Sequence, residues 1–175
     1  MVVERRYWDS DCSLGWLRSE PDKVKECQEV LQVAEDGQVM IVTSALTIAE
    51  VLNLEGRGST FTIPPENAAA VIAFFRNPYI VVRNITRKVS EQAREFVWTH
   101  RVMPKDALHV ATAIDAKLHL LNTFDGGLIA HSGRIGMPAI AIQRPTYAQP
   151  RLELGDEPRP APMPPVAHTF KKPRK

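Results

Sequence analysis

The chain has 175 residues, 44% of them hydrophobic and 24% charged, which suffices for one sizeable core but hardly for two. No stretch approaches the roughly 18 uncharged apolar residues of a membrane span, and Glu4, Arg5 and Arg6 stand where a signal peptide would be apolar. Cys12 and Cys27 have neither Cys-x-x-Cys nor zinc-finger spacing, which disfavours disulfide and zinc frameworks and predicts buried, reduced thiols. We therefore expect a cytoplasmic protein without a membrane segment.

The strand-like and helical patterns alternate along the chain. They predict, in order, strand 2–8, a loose helix, helix 21–35, strand 39–43, helix 45–54, helix 65–76, strand 79–83, helix 86–100, helix 104–117, strand 119–123, a helical turn after residue 125 and an edge strand 138–142. Proline opens several of these helices, Thr86 is the expected N-cap of another, and residues 55–59 break the helix before them. This alternation predicts an α/β fold with a mostly parallel sheet.

Proline and positive charge are concentrated at the C-terminal end. Eight of the fourteen prolines lie between Pro145 and Pro173, and from Arg144 onward seven Lys and Arg residues stand against three Asp and Glu. The formal charge of +2 thus leaves −2 for the first 143 residues, which lack the basic footprint of many nucleic-acid-binding domains. We predict a domain over residues 1–143 and a disordered, proline-rich basic tail over 144–175. Alternatively, the tail is an arm that contacts phosphates or a partner.

Four acids occupy conspicuous places in the predicted elements. Asp9 ends the first strand, Glu50 lies inside a helix, Asp106 opens a helix and Asp125 follows a strand. Because the carboxyl ends of parallel strands share one edge of the sheet, acids placed there converge on a single cleft. Asp11 is a fifth candidate, which could bind metal, cap the next helix or hold a water.

Glu50 needs a partner because its helix is apolar nearly all round and is expected to be mostly buried. An unpaired buried carboxylate costs several kcal/mol, on the order of a lost ion pair, and no Lys or Arg lies three or four residues away. The partner is therefore a distant basic side chain, a proton or a metal ion. For Asp106, the ordinary alternative to a metal ligand is a favourable place in the first turn of a helix.

A divalent cation would allow several carboxylates to stay ionised in one cleft. Mg²⁺ and Mn²⁺ prefer oxygen ligands, keep bound waters and bridge to phosphates. They lower the pKa of a bound water and neutralise charge on phosphoryl oxygens, so such a site needs no histidine base or serine nucleophile. The acids thus point to metal-assisted hydrolysis of a phosphate ester.

Four segments in this order resemble the PIN-domain family. They are residues 7–11 (Tyr-Trp-Asp-Ser-Asp), 44–51 (Ser-Ala-Leu-Thr-Ile-Ala-Glu-Val), 104–113 (Pro-Lys-Asp-Ala-Leu-His-Val-Ala-Thr-Ala) and 122–125 (Asn-Thr-Phe-Asp). The resemblance implies a three-layer α/β/α sandwich and a metal-binding quartet of Asp9, Glu50, Asp106 and Asp125. It also implies a VapC-like endoribonuclease toxin that acts on RNA with Mg²⁺ or Mn²⁺, forms a homodimer and is silenced by an antitoxin.

The charged first strand and the proline-rich tail depart from the family pattern, as does Asp11, where Asn is common. A role other than that of a toxin therefore stays open. His109 could orient Asp106, approach phosphate or simply pack on its helix, and Lys105 could bind RNA phosphate. The hydroxyls of Ser10, Ser44 and Thr123 suit either contacts with the acids or helix capping, and capping is favoured.

Two functions from other classes compete with the nuclease. The motif Asp9-Ser10-Asp11 also resembles the nucleophile motif of haloacid dehalogenase phosphatases, but the downstream lysine and paired acids of that class are missing. The other alternative is a non-catalytic PIN-like binding module that acts through partners or through its basic tail.

Overall fold

The computed structural model contains a sheet whose five described strands all pair in parallel. The structure describes residues 3–51 and 65–147. The strands are β1 (Glu4–Trp8), β2 (Val39–Ser44), β3 (Ile80–Arg83), β4 (Leu120–Asn122) and β5 (Ala141–Gln143). Their order across the sheet is β3-β2-β1-β4-β5. The chain therefore runs outward from β1 in both directions, and the crevice between β1 and β4 is where sheets of this type bind ligands.

Helices cover both faces of this sheet. They are α1 (Ser10–Leu17), α2 (Val24–Glu35), α3 (Ala45–Glu50), α4 (Pro65–Phe75), α5 (Arg87–His100), α6 (Pro104–Asp115) and α7 (Gly126–Ile129). Side chains of α5, α6 and α7 pack with Tyr7 on one face, and side chains of α1, α2 and α4 pack with Trp8 on the other. Neighbouring strand residues thus face opposite sides. The predicted three-layer α/β/α architecture with a parallel sheet is confirmed.

Local signals explain where several helices begin. Pro104 occupies the first turn of α6, and the Thr86 hydroxyl accepts a hydrogen bond from the Val89 amide at the start of α5. The thiols of Cys12 and Cys27 are free and buried, as predicted. None of the helices in the described part of the chain is long and apolar enough to cross a membrane.

Several predicted elements are wrong in their extent, among them the helix predicted from residue 21, which begins at Val24. The helix predicted over 45–54 ends at Glu50, and residues 52–54 lie outside the described part, as does the predicted break at 55–59. The expectation that this helix is mostly buried is also wrong, because Ile48 is 44% exposed. The last strand begins at Ala141 instead of 138.

Residues 144–147, which we call the C-terminal strap, pack against the domain. Arg144 binds both carboxylate oxygens of Glu26 in α2. The Thr146 carbonyl accepts a hydrogen bond from the buried Arg6 guanidinium at 2.8 Å, and the Tyr147 ring lies 5.6 Å from it. These contacts explain how β1 tolerates a charged side chain facing the core. The rest of the tail lies outside the described residues, so the division at residue 144 and the disorder of the tail stay predictions.

Candidate functional site

Asp9 and Asp125 follow the two central strands on either side of the crevice. Asp9 is the N-cap of α1, and its Oδ1 accepts a hydrogen bond from the Cys12 amide at 3.0 Å. Asp125 is the N-cap of α7, and its Oδ1 accepts from the amides of Gly127 and Leu128 at 2.6 and 3.1 Å. Helix amides therefore fix the positions of both carboxylates, because the free N–H groups of a first turn favour an acceptor.

Asp9 is buried, with 5% of its surface exposed. Burial raises the pKa of its carboxyl, while the charge of His109 and a hydrogen bond from the Thr123 hydroxyl lower it. The Thr123 hydroxyl also accepts from the Asp125 amide at 3.0 Å. Thr123 therefore links the two acids across the crevice.

Asp106 is the acid whose pKa is raised by burial and by the charges of the other three acids of the quartet. It lies in the first turn of α6, as predicted. Burial raises the pKa of Asp106 to about 6; the charge of Asp125 is the next contribution, those of Asp9 and Glu50 are smaller, and the charge of His109 opposes them. The structure therefore brings the four acids of the predicted quartet into electrostatic contact, with unbalanced negative charge at Asp106.

Glu50, the last residue of α3, has the distant basic partners that were one of the expected alternatives. Its Oε2 lies 2.9 Å from Nε2 of His109, and its Oε1 lies 3.1 Å from Nζ of Lys105. Burial would raise the pKa of Glu50, but hydrogen bonds from His109, Lys105 and Ser10 and the charge of His109 bring it down to about 2. This carboxylate stays ionised throughout the ordinary pH range.

His109 is buried, with 2% of its surface exposed, and spans two elements. While Nε2 faces Glu50, Nδ1 lies 2.8 Å from the Tyr7 hydroxyl. Tyr7 is fully buried at the end of β1, and burial raises the pKa of its phenol. His109 therefore contacts Glu50 through a hydrogen bond, whereas the sequence directed attention to Asp106 or a phosphate.

Asp11 is paired with a lysine, although its charge still raises the pKa of Asp9. Its Oδ1 lies 2.6 Å from Nζ of Lys23, which also binds Glu20 at 2.8 Å. The capping expected as one role for Asp11 belongs to Asp9. The favoured capping role of the nearby hydroxyls is also wrong. The Ser44 side chain makes no hydrogen bond to the amides of α3, and the hydroxyls of Ser10 and Thr123 contact the acids Glu50 and Asp9 instead.

As the side chains stand in residues 3–51 and 65–147, no three or more of the His, Cys, Asp and Glu type are arranged so that they could hold a metal ion. Asp9 and Asp125 are bound to helix amides, and Glu50 is bound to His109 and Lys105. The donor set nevertheless fits a hard divalent cation in its chemistry. It consists of carboxylate oxygens, and the raised pKa values of Asp9 and Asp106 reflect the cost of ionisation that a cation would relieve.

Sequence reasoning missed Tyr7, which supports Glu50 through His109, and did not consider Glu50 as the neighbour of His109. The contact of Thr123 with an acid was one of its expected alternatives. A signal for His109 was present, since a histidine one turn after Asp106 lies on the same side of α6. Nothing in the sequence pairs it with Glu50, 59 residues away. The fully buried end of β1 could have suggested Tyr7, because a buried phenol requires a hydrogen-bond partner.

The chain is similar in fold to several solved structures. One is Mycobacterium tuberculosis VapC20, described as a toxin that cleaves the sarcin-ricin loop, with a TM-score of 0.57 and 18% identity over 71% of this chain and 93% of that chain. Another is a toxin-antitoxin complex from Klebsiella pneumoniae, with a TM-score of 0.52 and 16% identity over 77% and 98%. A third is FitAcB from Neisseria gonorrhoeae, with a TM-score of 0.51 and 18% identity over 80% and 97%. At these identities the likeness establishes the fold alone.

Among curated proteins, none matches the chain in sequence. The family model of the PIN domain matches residues 7–133, which include all four acids of the quartet. This match decides against the haloacid dehalogenase alternative. Because it spans well over half of the sequence, the protein belongs to the PIN domain family.

Proposed function

We propose that this PIN domain is a metal-dependent endoribonuclease that hydrolyses RNA phosphodiester bonds. The observation that carries the proposal is the position of Asp106, which shares the carboxyl edge of a parallel sheet with three other acids whose charges oppose its ionisation. Membership of the PIN family supports this reading, as does the fold shared with a toxin described as cleaving the sarcin-ricin loop.

Asp9, Glu50, Asp106 and Asp125 would hold Mg²⁺ or Mn²⁺ as the catalytic acids. When bound, the ion would lower the pKa of a water ligand and neutralise charge on the phosphoryl oxygens. Asp11 would have to leave Lys23 to join the ligands. Lys105 is mostly exposed at the mouth of the cluster, where its ammonium group can meet an RNA phosphate once it is released from Glu50.

The same fold similarity supports a finer proposal, namely a VapC-like toxin held inactive by a cognate antitoxin protein. Two of the three similar structures belong to proteins described as a toxin or a toxin-antitoxin complex. RNA is the substrate and the cytoplasm the place of action in this proposal. A neighbouring small gene that encodes a DNA-binding protein would favour it.

A homodimer is part of the proposal, and one surface of α5 and α6 suits it. The two helices form an apolar groove of about 380 Å³ lined by Val97, Trp98, Pro104 and Leu108. Trp98 is 65% exposed and Met103 is 68% exposed, although both are large hydrophobic residues. Exposed apolar side chains that cluster in this way are typical of protein contacts.

A non-catalytic binding module is the second candidate. It is favoured by the engagement of the acids with partners inside the domain, since Asp9, Asp125 and Glu50 all have hydrogen bonds of their own. In this case the acids would stabilise helices, and activity would reside in a partner or in the basic tail.

Cleavage of structured and single-stranded RNAs by the purified full chain separates these candidates. The nuclease requires cutting with Mg²⁺ or Mn²⁺ that is lost with EDTA and with Asp9→Asn. Asp115→Asn is the matched control, because Asp115 pairs with Lys88 at the far end of α6. If neither metal supports cutting and calorimetry detects no metal binding by the wild type, the binding module replaces the nuclease.

A further inference from the structure

The helix that carries Glu50 does little to fix the direction of its side chain. Glu50 is the last residue of α3, which has six residues, and its side chain is 14% exposed. A helix end loses the support of the next turn, so tertiary contacts must set the direction of this side chain. Two of those contacts differ greatly in exposure: the side chain of Lys105 is 72% exposed, whereas that of His109 is 3% exposed.

The exposed contact is the weaker restraint. A lysine on the surface exchanges its partner for water at little cost, and such pairs contribute little to rigidity. His109 has no such freedom, because its ring is enclosed and forms an edge-to-face contact with Tyr7 at 5.8 Å. The position of Glu50 therefore depends more on the ring of His109 than on Lys105, and the Ser10 hydroxyl is a third, smaller contact.

The hydrogen-bond chain also determines which nitrogen of His109 carries a proton toward Glu50. The ionised Glu50 carboxylate can only accept, so Nε2 of His109 must donate to it across 2.9 Å. Nδ1 then either accepts from the Tyr7 hydroxyl or, in a protonated ring, donates to its oxygen. In both cases Nε2 donates to Glu50, and the Tyr7 hydroxyl restrains the ring through the opposite nitrogen, Nδ1.

His109 and Asp106 lie three residues apart on α6. Neighbours at this spacing share one face of a helix. Helix α6 thus supplies both Asp106 and His109. His109 in turn holds Glu50, which lies at the end of α3. A shift of α6 would move both together and preserve their relation.

We propose that His109 is a positioning residue that holds the Glu50 carboxylate at the acidic cluster, with Tyr7 fixing the orientation of the ring. This proposal rests on the proposed nuclease function, in which Glu50 contributes to metal binding. His109 touches neither substrate nor metal in it. Outer groups that orient ligands typically change metal affinity or activity by about 10- to 100-fold when they are lost.

The test compares two amides at position 109 in the full chain. In His109→Gln, the amide nitrogen can reach the position of Nε2 and donate to Glu50. In His109→Asn, the shorter side chain reaches only the position of Nδ1, next to Tyr7. The two variants are matched in polarity, so thermal unfolding should be similar. We expect His109→Asn to weaken Mn²⁺ binding in calorimetry and kcat for RNA cleavage by about tenfold or more, with KM for RNA unchanged. His109→Gln should stay within about threefold of the wild type.

A double-mutant cycle tests whether His109 affects kcat through Glu50. If His109 acts through Glu50, His109→Asn should cause no further loss of kcat in a Glu50→Gln background. Tyr7→Phe should lower kcat by a smaller factor than His109→Asn does, and it provides the test if the Asn variant fails to fold.

Four outcomes would overturn the proposal. Equal losses in the Asn and Gln variants would mean that the bond to Glu50 is not what matters, and additive losses with Glu50→Gln would mean that His109 acts elsewhere. If the wild type binds no Mn²⁺ and cuts no RNA, the proposed function falls and this proposal falls with it. An active wild type with unaffected Asn and Gln variants would reject the positioning role alone.

Discussion

Replacement of Asp106 by Asn should stabilise the metal-free protein at neutral pH. The pKa of Asp106 is raised from 3.8 to about 6, so its ionisation opposes folding. Without any screening by solvent, this pKa shift would lower the free energy of unfolding by about 3 kcal/mol. The side chain is partly exposed, and screening by solvent reduces that figure to about 1–2 kcal/mol. The helix dipole favours a charge in this turn by about 0.3–1 kcal/mol. The net gain is about 1 kcal/mol, or roughly 2–4 °C in Tm.

The stability difference between Asp106→Asn and the wild type should depend on pH. A raised carboxyl pKa means that the folded state binds the proton more tightly, so the penalty is absent below about pH 3.8 and complete above about pH 6. The advantage of Asp106→Asn over the wild type should therefore grow between these values. Thermal unfolding in EDTA at pH 4 and at pH 7.5 measures it. Added Mn²⁺ should reverse the order, because the wild type retains the acid that would hold the ion.

Asp115→Asn is the matched control, since it removes a carboxylate from the same helix that is paired with Lys88 at 2.8 Å. It should leave Tm unchanged or slightly lower. An Asp106→Asn variant that is no more stable than the wild type at pH 7.5, or that is equally stabilised at pH 4, would refute the argument that burial and the charges of the other acids oppose the ionisation of Asp106.

Three further predictions concern the caps, the strap and the exposed groove. Asp9→Asn should abolish cleavage while keeping the cap of α1, whereas Asp9→Ala should also lower the free energy of unfolding by about 1 kcal/mol; equal urea midpoints for the two variants would contradict this. A chain ending at Gln143 should be less stable to urea by about 2 kcal/mol than one ending at Tyr147, because buried Arg6 loses its carbonyl acceptor; coincident unfolding curves would count against it. Trp98→Glu should give a monomer in light scattering where the wild type gives a dimer, and a persistent dimer would place the contact elsewhere.

The parts of the fold that could be predicted depend on local information. Pro104 and Thr86 mark helix starts through their own backbone and side-chain chemistry, and Asp9 and Asp125 could be placed because they follow predicted strands. The limits of α3 were not predictable in the same way. Its apolar residues indicated a longer and more buried helix, but Ile48 faces outward.

The contacts that were missed join residues distant in sequence. The partner of Glu50 is 59 residues away, and the carbonyl that accepts from Arg6 is 140 residues away. Composition and periodicity describe what a side chain needs, such as an acceptor for a buried guanidinium. They do not identify which distant group meets that need, because the answer depends on how helices pack across the sheet.

The C-terminal strap determines where the rest of the chain leaves the domain. Arg144 directly follows β5 at the carboxyl edge of the sheet, yet the Tyr147 hydroxyl binds the side chain of Gln38, just before β2 begins. The strap thus leads from the carboxyl end of β5 towards the start of β2, and the long side chain of Tyr147 completes the reach to Gln38. Tyr147, the last described residue, is therefore tied through its hydroxyl to the start of β2, whereas Asp9 and Asp125 follow the ends of β1 and β4.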